Sequence, residues 1–321
     1  MDVLAHLGIN PEVLPSQYET KAVRGRTLIT DGDGPAYVIA SKVKRLDTAI
    51  RQYQTEMLTQ MYLAGAEDIE CHLTSSRCDK FGRSRIMAVQ PYQGNRKNKD
   101  KPPLLEPLRE AMTLPENWLP ELKVELHKDI EADDAMIISA HRLGENGVIR
   151  SDDKDLRCTP WYYHEIKDGE VRAPEPVGYI AEAFTPSGAR KMVGQGPMFF
   201  WLQMLMGDTA DHVKGLQRLD GKLCGMVAAF NALREMKTVS EAANFVVDAY
   251  REIEQNVIAE GWMMHLLRHP HDNFWVYAHE CGLSQINQEF MQWCAKQRWR
   301  LKPHERRDQK DGKWVGPIYE V

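Results

Sequence analysis

The stretch Thr27-Leu28-Ile29-Thr30-Asp31-Gly32-Asp33-Gly34-Pro35, reading TLITDGDGP, decides the fold class. Four β-prone residues run together and stop abruptly at two acids, two glycines and a proline, the pattern of a buried strand ending in a turn. Downstream the pattern alternates. Ile50, Tyr53, Met57, Leu58, Met61 and Tyr62 recur at helical spacing between about Asp47 and Ala64. Ile69 to Leu73 reads as a second strand and Lys123 to Leu126 as a third. Glu131 opens EADDAMIISAHRL, a helical run whose acidic first turn suits the positive end of the helix dipole. Gly147-Val148-Ile149-Arg150-Ser151 is a fourth strand. Strands alternating with helices predict an α/β fold with a mostly parallel central sheet flanked by helices.

The chain has 321 residues, 43% of them hydrophobic, enough for a sizeable core in one large domain or two packed ones. Residues 1–25 read as a leader of turns and short helix, with Pro11 and Pro15 as breakers. An α/β core is expected over 26–197 and a C-terminal helical subdomain over 198–321. Tyr92 to Pro103, YQGNRKNKDKPP, carries Arg96, Lys97, Lys99 and Lys101 and reads as exposed and mobile.

A formal net charge of −5 excludes a generally basic nucleic-acid binder. Any nucleic acid must meet a local basic patch or a metal. Cys71, Cys78, Cys158, Cys224, Cys281 and Cys294 form no CxxC pair, which suits buried thiols in a reducing cytoplasm. The N-terminus lacks a basic-then-apolar signal and no run reaches membrane-spanning length, so a cytoplasmic protein without a membrane partner is expected.

Acids follow three of the four strands. Asp31 ends the first, Glu131, Asp133 and Asp134 follow the third, and Asp153 and Asp155 follow the fourth. In open α/β sheets ligands bind beyond the carboxyl ends of the strands, so these side chains should converge on one edge. FFWLQMLM reads as a helix that stops at Gly207, and Asp208 and Asp211 then follow, spaced to face one way on a helical turn. So many carboxylates in one place repel without cations. Hard oxygen donors suit Mg²⁺ or Mn²⁺, and this number suits two ions that activate a water and stabilise the leaving oxygen of a phosphodiester. Any one of these acids alone reads as readily as a helix cap or a solvated side chain.

The ordered set TLITDGDG, EADDAMI, RSDDKDL and GDTADHVKGL resembles the flap endonuclease or 5′-nuclease superfamily, most closely the bacteriophage 5′→3′ exonucleases, over roughly Leu28 to Leu233. The resemblance implies a 5′-nuclease or PIN-like fold. It implies metal-binding, catalytic acids at Asp31, Glu131, Asp133, Asp134, Asp153, Asp155, Asp208 and Asp211, with two Mg²⁺ or Mn²⁺ ions. It implies a flexible arch at about 91–120 whose Arg96, Lys97, Lys99 and Lys101 contact DNA. It also implies a helix-hairpin-helix-like segment at about 207–233, with Gly215 in it, that binds duplex backbone through main-chain amides and a monovalent cation such as K⁺. The implied partners are DNA with 5′ ends, flaps or RNA–DNA hybrids, and the implied activity is 5′→3′ exonuclease with flap or RNA-primer removal.

Three departures stand out. Ser75, in HLTSSR, occupies the place of a further family Asp. Gln93, in YQGNR, replaces a lysine thought to polarise the scissile phosphate. An arginine that often follows the first DG motif has no clear counterpart. Separately, in the helix-hairpin-helix-like segment, Arg218 and Asp220 of GLQRLDGKLCG replace expected small residues. Ser75 and Gln93 keep open a non-catalytic, structure-specific DNA-binding protein, and an RNase on the same fold is a second alternative. Against mere binding, so much negative charge near phosphates gains nothing.

Other signals fare less well. DGDG fails as an EF-hand, whose twelfth position here is Lys42. His265, His269, His271, His279 and Cys281 match no standard zinc spacing, and Pro270 interrupts them. The Met198, Met204 and Met206 stripe reads as core.

Overall fold

The computed structural model describes residues 22–95, 101–173 and 175–302. The expected leader up to residue 21, and Arg96, Lys97 and Lys99, lie outside the described residues.

The α/β part runs β1 (Thr27–Asp31), α1 (Asp33–Lys42), α2 (Leu46–Leu63), β2 (Asp68–Thr74), α3 (Leu105–Met112), β3 (Leu122–His127), α4 (Ala132–Leu143) and β4 (Gly147–Arg150). Short strands β5 (Tyr163–His164) and β6 (Val171–Arg172) follow, then a hairpin of β7 (Tyr179–Phe184) and β8 (Arg190–Gln195). Next come α5 (Gly196–Met206), a small hairpin of β9 (Arg218–Leu219) and β10 (Lys222–Leu223), and α6 (Met226–Leu233). The last helices are α7 (Val239–Glu252), α8 (Val257–Met264), α9 (Phe274–Glu280) and α10 (Gln285–Lys296).

Successive residues of β1 serve opposite faces. Leu28 packs with Ala36, Tyr53, Met57, Leu73 and Leu108 under α1 to α3. Ile29 packs with Met136, Ile137, Ala140 and Ile149 under α4. Both are fully buried, so the strand reads as a continuous run rather than an alternation.

The sheet order is β3-β2-β1-β4-β5-β6, parallel from β3 to β5 with β6 antiparallel at the edge. The chain winds outward from β1 through β2 to β3, then crosses to β4 on the other side of β1. That reversal opens a crevice beyond the carboxyl ends of β1 and β4, where open α/β sheets bind ligands. Asp31 and Asp153 stand there. The predicted sheet class and the four predicted strands agree with the structure, each within about two residues.

The helical part forms around α5. Its sequence GPMFFWLQMLM is apolar on every side, and Phe199, Trp201, Leu202 and Leu205 are buried among α6 to α10. A helix apolar all round belongs inside a core.

Three segments differ from the sequence reading. DGDGP is read as a turn, yet α1 begins there, because Asp31 accepts the Asp33 N–H at 2.8 Å and Pro35 is tolerated in a first turn. Part of the expected arch is a packed helix: Leu105, Leu108 and Met112 of α3 lie in the core beneath α1 and α2. In the segment expected to resemble a helix-hairpin-helix, the connection between α5 and α6 holds the β9–β10 hairpin.

Candidate active site

Asp31 ends β1, and Gly32 after it is demanded by packing. A Cβ at position 32 would lie 2.2 Å from the Tyr53 hydroxyl and 2.6 Å from the Cys71 sulfur. The chain can therefore turn into α1 and leave the Asp31 carboxylate at the sheet edge. Asp33 is held by Arg109, whose Nη2 donates to it at 2.7 Å, and by the Thr74 N–H at 3.0 Å.

α4 starts at the same edge. Glu131 and Asp134 form a reciprocal capping box there. One pocket is lined by Asp31, Asp33, Glu131, Asp133, Asp153 and Asp211, together with Ser75, Lys80, Gln93, Lys101 and Arg109. Five of the eight acids singled out in the sequence therefore share one pocket.

Within it the carboxylates divide by how they are compensated. Asp133 accepts no hydrogen bond among the described residues. Withdrawal from water, and then the charges of Asp31 and Asp153, push its carboxyl well above the usual range. Asp31 is pushed up to about 7 by withdrawal from water and then by Asp33, with Asp153 adding to it. Asp153 caps the turn after β4 and accepts the Asp155 N–H at 2.9 Å. Three elements thus supply three mutually repelling carboxylates.

The outer acids are already engaged. Glu131 accepts from Tyr92 Oη at 2.7 Å and Arg83 Nη1 at 3.0 Å, and pairs with Lys80 at 3.0 Å. Asp211 accepts from Gln93 Nε2 at 3.0 Å and shares the single Tyr92 O–H with Glu131, its oxygen 3.0 Å from Tyr92 Oη. The Lys154 ammonium lies between Asp155 and Asp208, at 2.8 and 2.7 Å. Asp155 is nonetheless raised to about 7, chiefly by burial. Burial also works to raise Asp208, but Lys154 and the Ala210 N–H outweigh it and hold that carboxyl below the usual range.

One oxygen each of Asp155, Asp208 and Asp211 lie within 4.8 Å of one another, close enough for one metal ion. Asp208 and Asp211 meet across a turn closed by reciprocal Asp208–Val213 backbone bonds of 2.8 and 2.7 Å, not on the helical turn expected. His72, Glu125 and His127 form a second close group, and none of them lines this pocket.

Asp134 is different. Its Oδ1 accepts from Arg83 Nη2 at 2.8 Å and the Leu267 N–H at 3.1 Å; its Oδ2 accepts from Arg83 Nη1 at 2.7 Å and the Glu131 N–H at 3.2 Å. A carboxylate offers about four acceptor sites, and these four bonds fill them. The geometry makes Asp134 a joint between α4, Arg83 and the helical half, with no lone pair left for a metal.

Gly215 is also occupied internally. Its N–H donates to Glu260 at 3.2 Å and its carbonyl accepts from Gln255 Nε2 at 2.8 Å. At φ +67 it lets the chain pass close to Gly207, where a Cβ would lie 2.5 Å from the Gly207 nitrogen. That amide is committed inside the protein rather than presented to a phosphate. Lys101 stands at the rim of the pocket, 4.0 Å from Glu106.

Sequence reasoning did not find Arg83, Tyr92, Lys80, Lys154 or Asp33. Tyr92 adjoins Gln93 and Lys154 sits between two acids, so position gives some signal for these. Nothing local marks Arg83 as buried, because its partners are 48 and 51 residues away.

No family model matches the chain, and no curated protein matches it. Among solved structures, the bacteriophage T5 protein co-crystallised with metal ions aligns at a TM-score of 0.47 and 13% identity, covering 84% of this chain and 98% of the other. The bacteriophage T5 flap endonuclease in a pseudo-enzyme-product complex with DNA and metal ions aligns at 0.46 and 14%, covering 84% and 98%. The T5 5′-exonuclease with bound zinc aligns at 0.46 and 15%, covering 84% and 99%.

Proposed function

We propose that this chain is a divalent-metal-dependent nuclease of the 5′-nuclease superfamily, acting on DNA with 5′ ends or flaps. The observation that carries the reading is the meeting of Asp31, Asp133 and Asp153 in one pocket at the β1–β4 crevice. Their mutual repulsion is relieved by a cation of high charge density, and an all-oxygen donor set suits Mg²⁺ or Mn²⁺. Asp31, Glu131, Asp133 and Asp153 would hold one such ion, and Asp155, Asp208 and Asp211 a second. Bound there, the ions would supply an activated water and stabilise the leaving oxygen of a phosphodiester. Asp134 holds α4 in place and is not among the proposed ligands.

The chain's own residues set the rest. Tyr92 ties Glu131 to Asp211 and so fixes the distance between the α4 terminus and the loop after α5. Gln203 donates to Asp155 at 2.5 Å and orients it from the buried α5. Lys154 keeps Asp155 and Asp208 together before any metal enters. Among the described residues no helix is long and apolar enough to cross a membrane.

The test is digestion of 5′-labelled duplex, single-stranded and flap DNA with Mg²⁺ or Mn²⁺, with and without EDTA. Metal-dependent release of short 5′ products is expected. Binding of flap DNA without cleavage in either metal would instead favour a non-catalytic structure-specific binder. Cleavage of RNA alone would favour an RNase.

A further inference from the structure

Lys80, Gln93 and His212 share an unusual property. Each is a non-glycine residue in the left-handed backbone region, at φ 54, 51 and 58. Side chains with a Cβ avoid that region unless the surroundings force them into it, and such residues cluster where a site needs them. These three lie in the same neighbourhood. Lys80 Nζ donates to Gln93 Oε1 at 2.5 Å, and the Gln93 N–H donates to the carbonyl of Asp211, next to His212, at 2.8 Å. Lys80 and Gln93 both line the candidate pocket.

The loop that carries Lys80 is fixed from several sides. The Asp79 and Phe81 N–H groups donate to the carbonyls of Lys128 and Asp129 at 2.8 and 2.7 Å. The Phe81 ring stacks on Trp262 at 5.0 Å with 3° between planes. Those contacts hold the strained turn and aim the ammonium into the pocket.

Three other cations near the site are held closely by carboxylates, while Lys101 at the rim is more than half exposed and reaches Glu106 only at 4.0 Å. Lys154 serves Asp155 and Asp208, Arg109 serves Asp33 and Glu106, and Arg83 is sealed against Asp134 and Glu131. Lys80 has one carboxylate, Glu131, and two neutral partners, the Gln93 amide and the face of the Tyr92 ring, 5.9 Å from its ammonium. An amide oxygen orients an ammonium without cancelling its charge. Two of the three N–H donors are then on oxygen acceptors, and among the described residues the third has no oxygen acceptor.

We infer that Lys80 is the residue that contacts the scissile phosphate, with its ammonium donating to a non-bridging phosphodiester oxygen, and that Gln93 positions it through the Lys80–Gln93 hydrogen bond. The inference rests on the nuclease reading above and names a residue within it. Gln93 is itself neutral, and the positive charge beside it comes from Lys80 on another loop.

The experiment compares wild type, Lys80→Met, Gln93→Met and Lys80→Met/Gln93→Lys in single-turnover cleavage of 5′-labelled flap DNA with Mg²⁺. Thermal melts of each, with and without Mg²⁺, run beside it. Lys80→Met should slow cleavage about 100-fold, the scale for removing one donor to a developing charge, while its melt still rises with Mg²⁺. Gln93→Met should slow it about tenfold, and the double variant should regain at least about tenfold over Lys80→Met. A lysine at 93 would also reach Glu131, which Gln93 Nε2 approaches at 3.4 Å, so the melts decide: rate regained with no matching gain in melting temperature supports the phosphate contact, and rate regained only in step with the melt overturns it. Cleavage by Lys80→Met within about threefold of wild type, or no recovery in the double variant, overturns the assignment while leaving the nuclease reading intact. A wild type inert on every DNA in Mg²⁺ and Mn²⁺ overturns both.

Discussion

Arg83 and Asp134 meet fork to fork, with Arg83 Nη1 and Nη2 donating to the two carboxylate oxygens at 2.7 and 2.8 Å and neither side chain more than 1% exposed. Burial would raise Asp134, but Arg83 outweighs it and holds the carboxyl below the usual range. Arg83 also donates to the His265 carbonyl at 2.9 Å, so the pair joins α4 to the end of α8. It is this joint that sets the α4 terminus, and with it Asp133, against the sheet edge.

Neighbouring acids should therefore behave oppositely. Asp134→Ala leaves Arg83 buried without its main partner, a loss of about 3–5 kcal/mol. Asp133→Asn removes one of three repelling carboxylates, so its melting temperature in EDTA should equal or exceed that of wild type. Its further rise with millimolar Mg²⁺ or Mn²⁺, which needs binding to the folded site alone, should largely vanish. Melts of both variants with and without metal check this. An Asp134→Ala protein as stable as wild type would refute the structural role.

Lys154 gives a second comparison. It occupies the space between Asp155 and Asp208 as a single positive charge. Lys154→Met should lower the melting temperature in EDTA, since the two carboxylates then repel at close range. The increment from Mg²⁺ or Mn²⁺ should be larger than in wild type, because the ion no longer competes with an ammonium. An unchanged increment would show that Lys154 and the metal do not share these oxygens.

A third prediction concerns pH and lies outside the pocket. His72 is 2% exposed and pushed down to about 4, by burial first and by His127 second. Its Nδ1 is 2.9 Å from His127 Nε2, and Ser139, Glu125, Glu70 and Lys123 also face it. In the unfolded chain an imidazole titrates near 6.5. Between about 6.5 and 4 the unfolded state thus binds more protons, and stability falls as pH falls. The full contribution is roughly 3 kcal/mol. Denaturant midpoints from pH 7 to 4 should decline less steeply in His72→Gln than in wild type. Parallel slopes would mean His72 protonates as readily folded as unfolded.

What the sequence made legible was local. Strand β1 announces itself because Leu28 and Ile29 are both apolar and both buried, and the acids after it sit at the sheet edge by geometry alone. EADD was legible as a helix start for the same reason. The division of labour inside it was not, because Asp133 and Asp134 differ only in what they face. Asp134 meets an arginine 51 residues earlier in the chain, and no spacing rule carries that distance. Helix α3 was hidden by the basic, proline-bearing run before it, although Leu105, Leu108 and Met112 have helical spacing. The left-handed turns at Lys80 and Gln93 lacked the glycine that usually signals such a backbone.

The sharpest prediction sets Asp153 against Asp152. Asp153 lines the pocket with Asp31 and Asp133, and its carboxylate raises both of theirs. Asp152, the residue before it, is exposed as Asp153 is, and lines a neighbouring hollow together with Asp31, Arg150 and Asp153, but it is not among the residues that line the pocket of Glu131, Asp133 and Asp211. Asparagine at either position keeps the shape and removes the charge. At 153 that removes a proposed oxygen ligand, so cleavage of 5′-labelled flap DNA in Mg²⁺ should fall by at least about 100-fold, a loss of the order seen when one group stabilising a transition state is removed. DNA affinity in Ca²⁺ or EDTA should hold or tighten, because one repulsion against phosphate is gone. At 152 the rate should stay within about threefold of wild type, since a solvated charge outside the pocket is well screened. Asp153→Asn keeps its amide oxygen available to the Asp155 N–H, so a fold-wide effect is not expected, and circular dichroism melts of the two variants should superimpose to within a few degrees. Equal losses of rate at 152 and 153, or none at 153, would remove the crevice between β1 and β4 as the place of chemistry.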